Sequence, residues 1–278
     1  MGSIKGQLDH KKAFTIIELL TVMSVIIILI GMLVPALNMV KRFARRVTQK
    51  NQFHAIEVGL ETFNAEWDGY PPSGPRNEDG TGGLYCGAMK LCEALLGQDL
   101  LGFHPDARFA WPDPVYQNGE LSARRKYLKP GSASANKLGD IYPETGAFPP
   151  DAYVISDVYT NHLTNLKTGK GAGMPVLYYR ANQSGTIYPT RDNGISIDDP
   201  RNVYDYKDNI DLTGFDIPWK QPGSKHPMYL DPMLFYKNTL NPQMEFPQPY
   251  NPDSYILQSA GFDGEYGTDD DVFNFMRR

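Results

Sequence analysis

The chain has 278 residues, a formal net charge of -5, 41% hydrophobic residues, 22 prolines, 26 glycines and 17 tyrosines. That balance supports a packed, loop-rich β domain and excludes a disordered or low-complexity chain; its acidic sign argues against DNA as the main ligand. The length allows one domain with long insertions, or two small ones.

The first feature in chain order is Lys11-Lys12-Ala13-Phe14-Thr15-Ile16-Ile17-Glu18-Leu19-Leu20. Two lysines precede a small residue, and the apolar run that follows continues through Ile30, Met32-Leu33-Val34 and Ala36-Leu37. From Phe14 to Val40 the only charged side chain is Glu18. About 20 apolar residues cross a bilayer as a helix. An acid inside such a segment costs roughly 3 kcal/mol, so it demands a partner. A secretory signal peptide also sets basic residues before an apolar core, but that core is about 7–15 residues long and carries no acid. A plain signal anchor is the competing reading.

This segment resembles the N-terminal cleavage and methylation motif of type IV pilins and of the pseudopilins of type II secretion. The resemblance implies a prepilin leader, residues 1–13, removed by a membrane aspartic peptidase between Ala13 and Phe14, with methylation of the new N-terminus. The family's usual residue before the cut is glycine, and this chain has Ala13. Glu18 becomes the fifth residue of the mature chain, and in the family that glutamate neutralises the N-terminal amine of a neighbouring subunit. Its own helix dipole also favours a negative charge there. Pro35 stands at the family's offset from the cut. It removes one backbone bond and clashes with the carbonyl of Gly31, itself a poor helix former, so Gly31 to Pro35 is the weakest stretch of the helix. An ordinary kink is tolerated in membrane helices; the resemblance adds that this segment can lose helicity in filaments.

Past the apolar run, Lys41, Arg42, Arg45, Arg46 and Lys50 form a basic cluster. Phe43, Val47, Phe53, Ile56, Leu60 and Phe63 continue in steps of three and four, which is helical periodicity. One helix is expected from about Thr15 to Trp67, roughly 80 Å long, with residues 14–40 in the membrane and the second half packing one face on a globular domain. The basic cluster reads as a solvated face or as charge pairing between packed subunits, with a lipid or nucleic-acid patch as the alternative. Lys5, Lys11 and Lys12 precede the span and five basic residues follow it, so charge alone would leave the C-terminal part in the cytoplasm. Processing at Ala13–Phe14 instead requires a cytoplasmic leader. The resemblance therefore implies a single-pass protein of the inner membrane with residues 68–278 outside the cytoplasm.

Asp68-Gly69-Tyr70-Pro71-Pro72 is a breaker cluster that ends the helix. Cys86 and Cys92 mark the start of a short helix through Leu95-Leu96; six residues along a helix point side chains to different faces, so a disulfide requires a nonhelical start, and two buried thiols are the expectation. No zinc-type cluster accompanies them. His10, His54, His104, His162 and His226 are scattered and indicate no shared site. Strands are expected at Ala152–Ile155 and Met174–Arg180. They lie in a Pro/Gly/Asp/Asn-rich stretch, about 99–251, that reads as an insertion relative to the shorter major pseudopilins. It would serve as a partner-binding surface or as loops thickening a filament.

The C-terminal run Ser259-Ala260-Gly261-Phe262-Asp263-Gly264-Glu265-Tyr266-Gly267-Thr268-Asp269-Asp270-Asp271-Val272 is rich in oxygen donors. Calcium takes six to eight such ligands from flexible loops, and glycines permit the tight turns. The spacing is not that of an EF-hand. A solvated acidic turn is the plainer reading, but Tyr255-Ile256-Leu257 and Val272-Phe273 frame the loop as strands. The run resembles the calcium loop of the major type II pseudopilin. That resemblance implies side-chain oxygens from Asp263, Asp270 and Asp271, carbonyl oxygens from Ala260 and Thr268, and an outer role for Asp269.

The expected fold is α+β: a long N-terminal transmembrane-amphipathic helix packed on a small antiparallel sheet, pilin-like, with loop-rich insertions. The expected function is a structural, non-enzymatic subunit of a type II secretion pseudopilus that polymerises through its N-terminal helix. Its implied partners are copies of itself, prepilin peptidase, an assembly ATPase with its inner-membrane platform, and minor pseudopilins. A type IV pilus or adhesin-type pilin with a ligand-binding insertion is the second reading. A membrane-tethered enzyme is the third, and the sequence has no nucleophile elbow, phosphate loop or metalloprotease motif to carry it.

Overall fold

The computed structural model describes residues 15–129 and 131–276, so His10, Ala13 and Phe14 lie outside the described residues. The chain divides into two units, 1–44 and 45–278. The helix α1 covers Ile16–Trp67, 52 residues.

In the first unit, α1 is apolar from Leu19 to Val40 and exposed on every side. By length and composition this stretch can cross a membrane. Pro35 sits inside the helix without ending it, and a Cβ added at Gly31 would meet nothing within 4 Å.

In the second unit, α1 buries Gln49, Gln52, Phe53, Ile56, Gly59, Leu60 and Phe63. These recur at three- and four-residue steps and so share one face. Burying each of the large apolar ones stabilises by about 1.5–3 kcal/mol. Two glutamines dock this face through hydrogen bonds: Gln52 Nε2 donates to Ser156 O at 2.8 Å, and Val158 N donates to Gln49 Oε1 at 2.9 Å. Gly59 marks a close approach, since a Cβ there would lie 2.9 Å from both Leu95 Cδ2 and the carbonyl oxygen of Tyr127.

After α1 come α2 (Gly87–Leu96), α3 (Val115–Asn118), β1 (Ser134–Lys137), α4 (Leu138–Ile141), β2 (Tyr153–Ser156), β3 (Leu163–Thr164), β4 (Gly171–Ala172) and β5 (Leu177–Arg180). They are followed by α5 (Ile210–Thr213), α6 (Pro227–Leu230), α7 (Met233–Thr239), β6 (Tyr255–Ser259) and β7 (Val272–Phe273). The architecture is α+β with small antiparallel sheets, consistent with a pilin-like fold. The main sheet has the order β5-β6-β7, with Tyr178 opposite Leu257 and Ser259 opposite Val272. β1 pairs with β2 and β3 with β4 as separate ribbons.

Successive strand residues point to opposite faces, and here both faces are covered. Tyr178, Leu257 and Val272 pack with Phe53, Ile56 and Leu60 of α1. Leu177, Tyr179, Ile256 and Phe273 pack with Met228 of α6 and with Phe235 and Tyr236 of α7. Burial on both sides explains the unbroken apolar run Val176-Leu177-Tyr178-Tyr179. The 99–251 stretch therefore contributes β5 to the main sheet and helices to the cover of its second face.

The expected strand at Met174 begins instead at Leu177. Pro175 has no N–H to give a ladder, and its neighbours bond to the end of β2: Asp157 N donates to Met174 O at 2.8 Å and Val176 N to Ile155 O at 2.7 Å. Cys86 sits at the N-cap of α2 in extended backbone, and both Cys86 and Cys92 are free, buried thiols. Burial pushes the Cys86 thiol up to about 11 and raises Cys92 further.

Candidate functional site

Two segments carry the candidate functional residues, and each stands in its own unit. At the head of α1, Thr15 and Glu18 bond reciprocally. Thr15 N and Thr15 Oγ1 donate to Glu18 Oε2 at 2.9 and 2.8 Å, and Glu18 N donates to Thr15 Oγ1 at 3.3 Å. This is a capping box, in which a Thr and a Glu three residues on satisfy each other's free amides. The sequence signal for it is Thr15-Ile16-Ile17-Glu18, which the dipole argument for Glu18 passes over. Glu18 thus has a local partner in the single chain.

The C-terminal loop joins β6 to β7, as the flanking strands predict. Gly261, Gly264 and Gly267 take positive φ of 70°, 73° and 97°. At Gly261 the need is strict, because a Cβ would also lie 2.2 Å from Asp270 O. The Asp270 carboxylate organises the turn: Phe262 N and Asp263 N donate to Oδ2 at 2.8 and 3.0 Å, and Thr268 Oγ1 donates to Oδ1 at 2.8 Å. Asp263 Oδ1 accepts Glu265 N at 2.8 Å.

Asp271 belongs to the interior. Its Oδ2 accepts Gln258 Nε2 and Gly267 N, both at 2.8 Å, while Oδ1 is buried with no donor. Ala260 is fully buried.

The charges follow from these surroundings. Partial burial, with Asp270 as neighbour, raises the Asp263 carboxyl above its usual range. Burial acts the same way on Asp270, but the Thr268 hydroxyl, its contact with Asp263 and the two amides outweigh it and hold Asp270 low. Burial raises Asp271 well above the ordinary carboxylate range against the Gly267 and Gln258 donors. Among the described residues no group of three or more His, Cys, Asp or Glu is placed to hold a metal ion. Asp263 and Asp270 adjoin, while Asp271 turns toward Gln258.

Several residues around this loop escape sequence reasoning. The histidines, expected to share no site, include two that meet it. His162 Nε2 lies 3.1 Å from Phe262 O, with its ring stacked on Trp219 at 4.5 Å. Tyr266 N donates to His226 Nδ1 at 3.2 Å, and burial first, then Lys220 and Lys225, push His226 down to about 3. Lys220 pairs with Glu265 at 2.5 Å. The Arg45 guanidinium bonds Asn161 and lies 5.9 Å from the centre of the Phe262 ring. Beneath the loop, the buried Asp157 carboxylate accepts Ser259 Oγ at 2.7 Å and the amides of Tyr159 and Met174 at 3.1 Å. Burial lifts Asp157 to about 7 against those donors.

These contacts make the loop a clasped corner of the domain, held by α1, by residues near 160 and by the 219–226 segment. Comparison of the chain with protein-family models, with curated proteins and with solved structures finds no match, so the pilin-like architecture is carried by the helix and the sheet themselves.

Proposed function

We propose that this chain is a structural subunit of a type II secretion pseudopilus. It is anchored in the inner membrane by α1, processed between Ala13 and Phe14, and polymerised with copies of itself through that helix. One observation carries the reading. A single helix is apolar and exposed through its first 25 or so residues, with one carboxylate at its head, and then buries a one-sided stripe against a small antiparallel sheet. A membrane-soluble helix of this kind can exchange lipid for a filament core without losing its apolar surroundings. Glu18 would then meet the Phe14 amine of a neighbour, and the energy of extraction would come from an assembly ATPase and its platform.

The proposal includes a calcium ion at the 259–272 loop. Its support is the charge balance rather than a ready-made cage. Asp263 and Asp270 adjoin, and the negative charge of Asp270 opposes ionisation of Asp263. A cation shared by Asp263 and Asp270, with carbonyls of Ala260 and Thr268, would relieve that repulsion.

The test is to express the chain with a prepilin peptidase, measure the mass of its mature N-terminus and image filaments for this subunit. A chain starting at methylated Phe14 and forming the filament shaft is expected. A chain that keeps residues 1–13 and never enters a filament overturns the proposal.

A further inference from the structure

The outer face of α1 in the second unit carries basic residues in its first turns and two carboxylates farther along, with no lysine or arginine ion pair closed between them among the described residues. Arg46 is exposed, and Lys50 follows one turn later with Nζ donating to Phe275 O at 3.2 Å. An ammonium has three N–H donors, so Lys50 keeps capacity for a second partner. Farther along, Glu57 and Glu61 line an open groove of about 710 Å³ between α1 and residues 251–255 and Asn274. Glu57 has His54 at 3.9 Å and accepts Asn274 Nδ2 at 3.2 Å; Glu61 accepts the Tyr70 and Tyr255 hydroxyls. Among the described residues, neither carboxylate forms an ion pair with a lysine or an arginine.

The spacing is repeated. Arg46 to Glu57 is eleven residues, and Lys50 to Glu61 is eleven residues. Eleven residues of α-helix make just over three turns, returning to within about 20° of the same face after roughly 16 Å. The same offset carries Val47 onto Val58, which are 44% and 54% exposed. We propose that the groove receives the Arg46–Lys50 segment of a second copy of this chain, lying parallel and shifted by eleven residues. Arg46 then meets Glu57 and Lys50 meets Glu61. The contact rests on the filament reading, because a shared membrane anchor is what sets the copies parallel; an antiparallel pair would match Arg46 with Glu61 instead. Desolvation lowers Lys50 and raises Glu57 in the single chain even though the two attract each other at a distance, so each still gains from a closer opposite charge.

Charge swaps in the full-length chain test the register. Arg46→Glu and Glu57→Arg, each alone, place like charges across the contact and are expected to cut filament yield at least about tenfold. The double swap restores an attractive pair between copies and is expected to recover yield to within about twofold of the unaltered chain. Within one copy these residues are three turns apart, so recovery reports a contact between copies. Filaments that form equally well with either single reversal overturn the contact and leave the filament reading standing. Recovery by Glu61→Arg instead of Glu57→Arg overturns the parallel register. If the reversals fail to fold, Arg46→Cys with Glu57→Cys keeps the question open to measurement. An oxidative ladder of linked copies is expected, and monomers within intact filaments overturn the contact. An unaltered chain that never polymerises overturns the filament reading first.

Discussion

Thr15 and Glu18 satisfy each other at the head of α1, with Thr15 N 2.9 Å from the Glu18 carboxylate and Glu18 N 3.3 Å from the Thr15 hydroxyl. The acid in the apolar run therefore has a structural use in the lone chain, separate from any neighbour. Two roles, a helix cap and a counter-charge for another subunit's amine, fall on one side chain. They can be separated because a capping box accepts Gln as well as Glu at this position.

Glu18→Gln keeps an acceptor for Thr15 and removes the charge. The expected outcome is a chain that enters the membrane normally and fails to join filaments, read by fractionation and by electron microscopy. Glu18→Ala is expected to lose both roles, with the cap alone worth about 1 kcal/mol. Normal assembly of Glu18→Gln would reduce Glu18 to a cap.

Calcium added to the full chain in detergent is expected to release measurable heat and to raise the melting temperature. A site at a hundredfold excess over its Kd stabilises by about 2.7 kcal/mol. Asp263→Asn and Asp270→Asn should each abolish the rise. Melting that is indifferent to calcium and to chelator would remove the ion from the proposal.

Buried acids set the pH response. Burial raises Asp157 and Asp208 to about 7 and Glu93 to about 8 in the folded chain, whereas in the unfolded chain these groups titrate near 4. His226, lowered to about 3, binds its proton only in the unfolded chain up to about pH 6.5 and acts the other way. The three raised acids outweigh it, so between about pH 4 and pH 8 the folded state binds more protons than the unfolded one and stability falls as pH rises through that window. With chelator present, the melting temperature should be lower at pH 8 than at pH 5. A melting temperature that climbs over this interval would contradict the assignment.

Gly59→Val tests the docking of α1. The new side chain would crowd Leu95 and the Tyr127 carbonyl, whose oxygen lies 2.9 Å from the Cβ position. Overpacking of this kind typically costs about 1–3 kcal/mol. Denaturant unfolding should show that loss, whereas Gly31→Val, with open space at its Cβ, should leave the second unit unchanged.

Local patterns in this sequence were enough to determine the apolar run with its single acid, the helical steps from Phe53 to Phe63, and the strands on either side of the 259–272 loop. Such signals repeat over a few residues, so they survive without knowledge of the fold. Thr15-Ile16-Ile17-Glu18 was equally legible as a capping box. Tertiary structure alone decided the rest. It set β5 beside β6 and so turned part of a loop-rich stretch into sheet. It brought Arg45 to Asn161 and His162 to Phe262 across 116 and 100 residues of chain. It also turned Asp271 inward to Gln258, away from the Asp263–Asp270 pair. Contacts at such separations depend on how every intervening element packs, and no local periodicity encodes them.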